Sequence, residues 1–267
     1  MKRRLAGFLI SFLVFILGFL SLTAPFVLPQ AGNTEGQNSS YAVMISLIIG
    51  LCLLLMVFEI QSSVMDSKMI AFLGILIAIN AGIRFLENAI PGPAGFSPIF
   101  FLILLTGYYF GNRIGFLMGA LTMLVSGLIT GGIGPWLPGQ MITAGWVGQS
   151  AALIRPMVAR LKWQSKAGEV VLLAILGAFW GLLYGAIMNL WFWPYLGAGS
   201  GQTWLQNAGL AANFNRYLAY YLATSIVWDI TRAIGNVLLI AVLTRPVLAT
   251  FERFQRRFSF QWTGNPS

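Results

Sequence analysis

The residues that could do chemistry in this chain are a few charged side chains placed within apolar segments. Arg84 and Glu87 are three positions apart, and so are Asp229 and Arg232. A spacing of three puts both members of a pair on one face of a helix, where they can neutralise each other. Because a charge in hydrocarbon is costly, each pair is expected either to lock a helix bundle or to line a polar cavity. Both interpretations stay open at this point.

Amide and aromatic side chains are candidates for the same cavity. The stretch 134–141, GPWLPGQM, holds two prolines and two glycines that fix a loop, which presents an indole beside an amide and a thioether. This combination suits a flat ligand with one hydrogen-bonding edge, although aromatic residues also gather at membrane interfaces. The predicted substrate-binding residues are Arg84, Glu87, Asn88, Trp136, Gln140, Met141, Asn189, Trp193, Asp229 and Arg232.

The residue types present exclude most catalytic and cofactor chemistry. The chain has no histidine and a single cysteine, Cys52, and its seven acidic residues are scattered. Such a set forms neither a Ser–His or Cys–His catalytic arrangement nor a metal site of the common kinds. The phosphate-binding loop of nucleotide hydrolases is also missing. We therefore expect a protein that is not an enzyme and that carries no metal and no cofactor.

The elements that position these residues are predicted to be membrane-spanning helices. Of the 267 residues, 58% are hydrophobic and 9% are charged, and the mean hydropathy is +0.80. A soluble domain carries about 25% charged residues. The apolar runs predict an all-α integral membrane protein with about eight transmembrane helices, at 5–28, 41–60, 69–89, 98–110, 114–130, 139–158, 170–190 and 214–243.

The distribution of positive charge predicts the orientation of the chain in the cell membrane. With the N-terminus inside, all of the 16 Lys and Arg residues except Arg84, Arg216 and Arg232 fall near cytoplasmic ends of the spans. Cytoplasmic loops of membrane proteins carry such an excess of Lys and Arg. The net charge of +9 is thereby explained without a nucleic-acid partner. We expect a multi-pass plasma-membrane protein with both termini cytoplasmic.

Glycines recur every four positions between residues 107 and 119, which predicts that the fourth and fifth spans pack closely against each other. This stretch and the motifs after it resemble the substrate-binding S component of energy-coupling factor (ECF) transporters, most strongly over residues 69–152. The resemblance implies a six-helix bundle in residues 63–267. The two additional N-terminal helices predicted in residues 1–62 depart from the family pattern. The motifs are GYYFG at 107–111, GFLMG at 115–119, GGIGPWLPGQM at 131–141 and WDITRA at 228–233.

The resemblance also implies a function and partners. S components bind a vitamin or similar micronutrient from outside and deliver it inward with a transmembrane coupling subunit and two ATP-binding-cassette (ABC) ATPases. Small residues on the first helix of the family dock on the coupling subunit, and they correspond here to Gly74, Ala78 and Gly82. The 134–141 loop is most similar to S components assigned to cobalamin, which makes cobalamin the expected ligand. A flavin or a deazapurine suits the aromatic residues equally well.

Two other functions stay open on the residues alone. A proton-coupled secondary carrier could use Glu87 or Asp229 as the titrating group. A structural membrane protein would use the two charge pairs only to hold its helices together, and it would bind no ligand. The S-component interpretation predicts that changing Trp136 or Asp229 weakens ligand binding without unfolding the protein.

Overall fold

In the computed structural model the chain is a bundle of α-helices. The structure describes residues 67–258 apart from 91–95, 135, 196–200 and 206–207, together with scattered positions between 12 and 50. These described residues form no β-strand. From residue 67 onward the helices are α1 (Ser67–Ala89), α2 (Ile99–Phe110), α3 (Asn112–Thr130), α4 (Leu137–Ala151), α5 (Ile154–Arg160), α6 (Ala167–Phe192), α7 (Gly209–Thr224) and α8 (Ile226–Phe258).

Four helices of the described part, α1, α3, α6 and α8, are long and apolar enough to cross a membrane. The apolar helix α2 is shorter, with 12 residues, and lies in the middle of the bundle with almost every side chain buried. Large apolar side chains such as Ile75, Ile175 and Val242 point outward from the long helices, as expected where lipid replaces water. These features confirm the predicted all-α integral membrane fold.

Glycines allow α2 and α3 to approach α4 closely. A Cβ atom at Gly107 or Gly115 would overlap the backbone carbonyl group of Gly148 on α4. The four-residue spacing predicted close packing of the two consecutive spans, and this is confirmed, since a Cβ at Gly115 would also overlap the Gly107 backbone. The structure adds α4 as a third helix at the same contact. Gly111 has a different structural role. It forms the tight turn between α2 and α3 with a φ of 100°, a conformation that favours glycine.

A second run of glycines brings α6 and α8 together. A Cβ at Gly181 would overlap the backbone of Ala233, and one at Gly177 would overlap a side chain of α8. At Gly185 the added atom would occupy the position of the Asp229 carboxylate. Small residues every four positions permit this close packing of membrane helices, and here they also leave space for a buried charge.

The prediction of a single last span over 214–243 is wrong. The chain leaves the helix at Ser225, where φ is −128° and ψ is −24°, and two helices, α7 and α8, meet there. The Ser225 hydroxyl donates a hydrogen bond to Asn189 Oδ1 at 3.0 Å, so that residue bonds across to α6. Most of α7 is exposed, and only Asn213 and Tyr221 are buried. The sixth predicted span is also shorter than expected, since α4 ends at Ala151.

The N-terminal predictions lie mostly outside the described residues. This holds almost entirely for the second predicted span, 41–60, and the first is described only at scattered, helical positions. Two of those positions contact the bundle through aromatic rings. The Phe15 and Trp146 ring centroids are 5.4 Å apart, and the Phe26 ring meets the Trp204 ring edge-to-face at 5.1 Å. At these two described positions the first predicted span therefore contacts α4 and the loop that precedes α7.

Candidate functional site

A polar cavity of about 400 Å³ opens at one end of the bundle. Its walls come from the C-terminal ends of α1 and α6 and from the N-terminal ends of α2, α4 and α8. The cavity brings together seven of the ten predicted binding residues, which are separated by up to 148 positions in the sequence (84 to 232). They are Arg84, Glu87, Asn88, Gln140, Asn189, Asp229 and Arg232.

The Asp229–Arg232 pair forms a buried ion pair, as the spacing predicted. Asp229 is 1% exposed and its carboxylate contacts the Arg232 guanidinium directly. The Tyr221 hydroxyl donates a second hydrogen bond to this carboxylate at 2.8 Å. Arg232 also donates to the Gly181 carbonyl at 3.3 Å, and its guanidinium lies 5.9 Å from the centre of the Tyr184 ring. Both charges of this pair are therefore compensated within the protein.

Arg84 and Glu87 lie on the same wall but contact different, neutral groups. Arg84 donates to Gln140 Oε1 at 3.2 Å and contacts the sulfur of Met123. The Glu87 carboxylate accepts a hydrogen bond from the Ser97 hydroxyl at 2.9 Å. Among the described residues these two side chains form no ion pair with each other, in contrast to what their spacing predicted.

Aromatic and apolar side chains also line the cavity, together with Ser97 and Ser225. The Phe100 and Tyr184 rings pack edge-to-face with centroids 4.7 Å apart, and Trp228 and Met188 lie at the same cavity. These aromatic and apolar residues were not predicted from the sequence, because an apolar or aromatic side chain in an apolar helix carries no distinguishing signal. One signal was available: Tyr184 and Met188 are four positions apart, so they share a helix face beside Asn189.

The other three predicted binding residues do not line this cavity. Trp136 is 43% exposed, and its indole folds back over its own loop and donates to the Gly132 carbonyl at 3.2 Å. Met141 is completely buried in the core. Trp193 is also buried, and its indole donates to the Gln202 carbonyl at 2.7 Å. These three side chains therefore contact other parts of the protein itself and do not face the cavity.

A second cavity of about 580 Å³ lies at the opposite end of α2, α6 and α8. The buried Glu169 carboxylate accepts hydrogen bonds there from the Tyr108 hydroxyl and from the Ser165 backbone N–H at 2.7 Å. Arg155, on its rim, donates to the Tyr109 carbonyl at 3.0 Å. None of the predicted binding residues lines this cavity.

The predicted docking residues lie on the outer surface of α1. Gly74 and Ala78 are exposed and Gly82 is half-buried. Among the described residues, no atom lies within 4 Å of a Cβ built at Gly74 or Gly82. Within the described part of the chain, this stripe of small residues therefore has no helix packed on it.

Comparison with known families agrees with this fold. The chain belongs to the ECF transporter substrate-specific component family, whose model matches residues 68–244. The protein is therefore a substrate-specific component of a transporter, and the family is one of transporters and not of enzymes. No curated protein and no solved structure gives a significant match to the chain.

Proposed function

We propose that this protein captures a vitamin or related micronutrient from outside the cell in the 400 Å³ cavity. It then delivers the ligand inward together with an ECF coupling subunit and two ABC ATPases. The observation that carries the proposal is the meeting of seven charged or amide side chains from four helices in one cavity of an otherwise apolar bundle. Polar groups are costly to bury among apolar side chains, so their collection at one site favours a ligand-binding role.

The volume of the cavity favours a ligand with one or two rings over cobalamin. Pockets that bury small organic ligands have volumes of roughly 300–1,000 Å³, and this cavity of about 400 Å³ is at the small end of that range. The Phe100, Tyr184 and Trp228 rings offer apolar surface for the ring of a smaller molecule, and the amides of Gln140 and Asn189 offer hydrogen bonds to its edge.

The docking site that we propose for the coupling subunit is the stripe of Gly74, Ala78 and Gly82 on α1. Small residues allow a partner helix to approach closely in a membrane, and the space over the two glycines is open among the described residues. Both termini are proposed to be cytoplasmic, which puts the second cavity inside, at the end of the bundle rich in Lys and Arg.

Ligand binding and transport by the purified protein test this proposal. Mass spectrometry of copurifying small molecules and thermal-shift assays with a vitamin panel identify the ligand. We expect Asp229→Asn to weaken its binding by roughly tenfold or more, because a charged hydrogen-bonded pair at the cavity is disrupted. Glu252→Gln is the matched control, because Glu252 lies at the second cavity and should leave the affinity unchanged.

Transport assays in vesicles separate the proposal from its alternatives. Uptake is expected only when the coupling subunit, both ATPases and ATP are present. Uptake by this chain alone that stops when the proton gradient is collapsed would instead identify a secondary carrier. A protein that binds nothing from the panel and carries no copurifying molecule would be structural.

A further inference from the structure

The two charge pairs of the cavity are satisfied in different ways. Asp229 and Arg232 compensate each other in an ion pair. Arg84 and Glu87 instead have neutral hydrogen-bond partners, an amide and a hydroxyl. In the described part of the chain neither of them has an oppositely charged side chain at ion-pair distance.

Charged side chains that lack an ion-pair partner are costly in a partly buried site. Arg84 and Glu87 both line the cavity, and they carry opposite signs. The charges of the four charged side chains of the lining, Arg84, Arg232, Glu87 and Asp229, sum to zero. A ligand with zero net charge therefore leaves the site balanced, whereas a singly charged ligand adds a charge that nothing in the lining offsets.

We infer that the substrate is a small zwitterion with a ring-sized apolar body. Its anionic group pairs with Arg84, its cationic group pairs with Glu87, and its body lies against the Phe100 and Tyr184 rings. This inference rests on the proposed function, because it specifies the ligand of the same cavity. A neutral molecule would fill the volume but leave both Arg84 and Glu87 without an oppositely charged group at ion-pair distance.

The position of Arg84 and Glu87 on α1 decides which wall of the cavity the two ligand charges face. Side chains three positions apart on a helix are neighbours on one face. A ligand that contacts both Arg84 and Glu87 therefore presents its two charges to the same wall of the cavity. Amino acids and amino-substituted aromatic acids carry two such charges.

The first test measures which charge class binds the full-length protein in detergent. The probes are tryptophan, phenylalanine and aminomethylbenzoate, each in four charge forms. The free compound is the zwitterion, the N-acetyl derivative keeps only the negative charge, and the amide of the carboxyl group keeps only the positive charge. The fourth form is blocked at both groups and is neutral. Any copurifying molecule is assigned to a class by its own charges. We expect zwitterions to bind, and we expect blocking either charge to weaken binding by roughly tenfold or more, the usual cost of losing a charged hydrogen bond.

The second test assigns each ligand charge to its protein partner. Arg84→Gln should lower the affinity for the zwitterion but leave the affinity for the cation-only form unchanged. Glu87→Gln should likewise lower the affinity for the zwitterion but leave the affinity for the anion-only form unchanged. The matched controls Arg155→Gln and Glu252→Gln remove the same charges at the second cavity and should change nothing. The blocked ligands test the wild-type protein directly, so the inference stays testable even if a variant fails to fold.

The outcomes distinguish this inference from the proposed function. A neutral or singly charged compound that binds as tightly as any zwitterion would overturn the inference and leave the proposed function standing. The same applies if the variants weaken all charge forms of the ligand equally. If a compound of the vitamin panel binds but none of the zwitterions does, the inference fails and the proposed function stands. If neither set of compounds binds and no molecule copurifies, the proposed function fails and the inference fails with it.

Discussion

Replacing Gly185 with alanine tests the packing that positions the charged wall of the cavity. Gly185 lies on α6 directly opposite Asp229 on α8, and a Cβ atom there would overlap the carboxylate carbon and both of its oxygens. The carboxylate has to move, which separates it from Arg232 and from the Tyr221 hydroxyl. The substitution therefore disturbs a buried ion pair without altering any charged residue.

The expected change in stability follows from one stabilising and two destabilising contributions. Alanine is better than glycine in a helix interior by about 1 kcal/mol. Overpacking of a close helix contact costs about 1–3 kcal/mol, and complete loss of a buried ion-pair partner costs about 3–5 kcal/mol. Because the Arg232 side chain is 17% exposed and keeps its bond to the Gly181 carbonyl, only part of the second penalty applies. We expect Gly185→Ala to be less stable than the wild type by about 2 kcal/mol.

Unfolding of the purified protein in mixed micelles, followed by tryptophan fluorescence and circular dichroism, measures this difference. Gly74→Ala is the matched control, because it is also a helix-interior glycine but has open space over it. It should be as stable as the wild type or more stable by up to about 1 kcal/mol. If Gly185→Ala is as stable as Gly74→Ala, the Asp229 carboxylate does not lie against Gly185 and the derived wall of the cavity is wrong.

Two further substitutions test the helix packing and the proposed docking surface. Gly148→Ala should lower the free energy of unfolding by about 2 kcal/mol or more. Its Cβ would overlap the Gly115 backbone, and no side-chain rotation can relieve that overlap. A denaturation midpoint equal to that of the wild type would argue against this contact. Gly74→Trp should leave ligand binding intact but abolish copurification with the coupling subunit. The control is Val242→Trp, on the exposed face of α8, which should copurify as the wild type does. If both variants copurify equally well with the coupling subunit, the α1 stripe is not part of the interface.

Pattern and composition predicted much of the site, because ionisable residues are conspicuous in an apolar chain. Arg84, Glu87, Asp229 and Arg232 could be singled out before any fold was known, and all four line the cavity. Trp136 could not be judged in the same way. Its loop has the composition of a ligand contact, but its indole bonds to its own turn, and only the backbone path of that loop decides this.

The break at Ser225 shows a second kind of limit. The apolar composition continues through residues 214–243, so the hydropathy pattern predicts one helix. The structure ends one helix and begins another there, with the Ser225 hydroxyl bonded to Asn189 on α6. A serine hydroxyl can hydrogen-bond to the backbone of its own helix or to a neighbouring helix. At Ser225 the partner is Asn189, 36 positions away in the sequence, and the hydropathy pattern carries no information about that contact.

Hydropathy and residue type were enough to predict an all-α membrane protein with few charges inside it, because both can be read from composition and local spacing. The match of residues 68–244 to the ECF substrate-specific component family confirms the family resemblance but does not test the prediction of cobalamin as ligand. The packing of the helices, in contrast, determines which charges compensate each other. Asp229 and Arg232 pair because Gly185 leaves space for the carboxylate, whereas Arg84 and Glu87, with the same spacing, are directed to Gln140 and Ser97. Equal spacing on a helix permits an ion pair, but the neighbouring helices determine whether it forms.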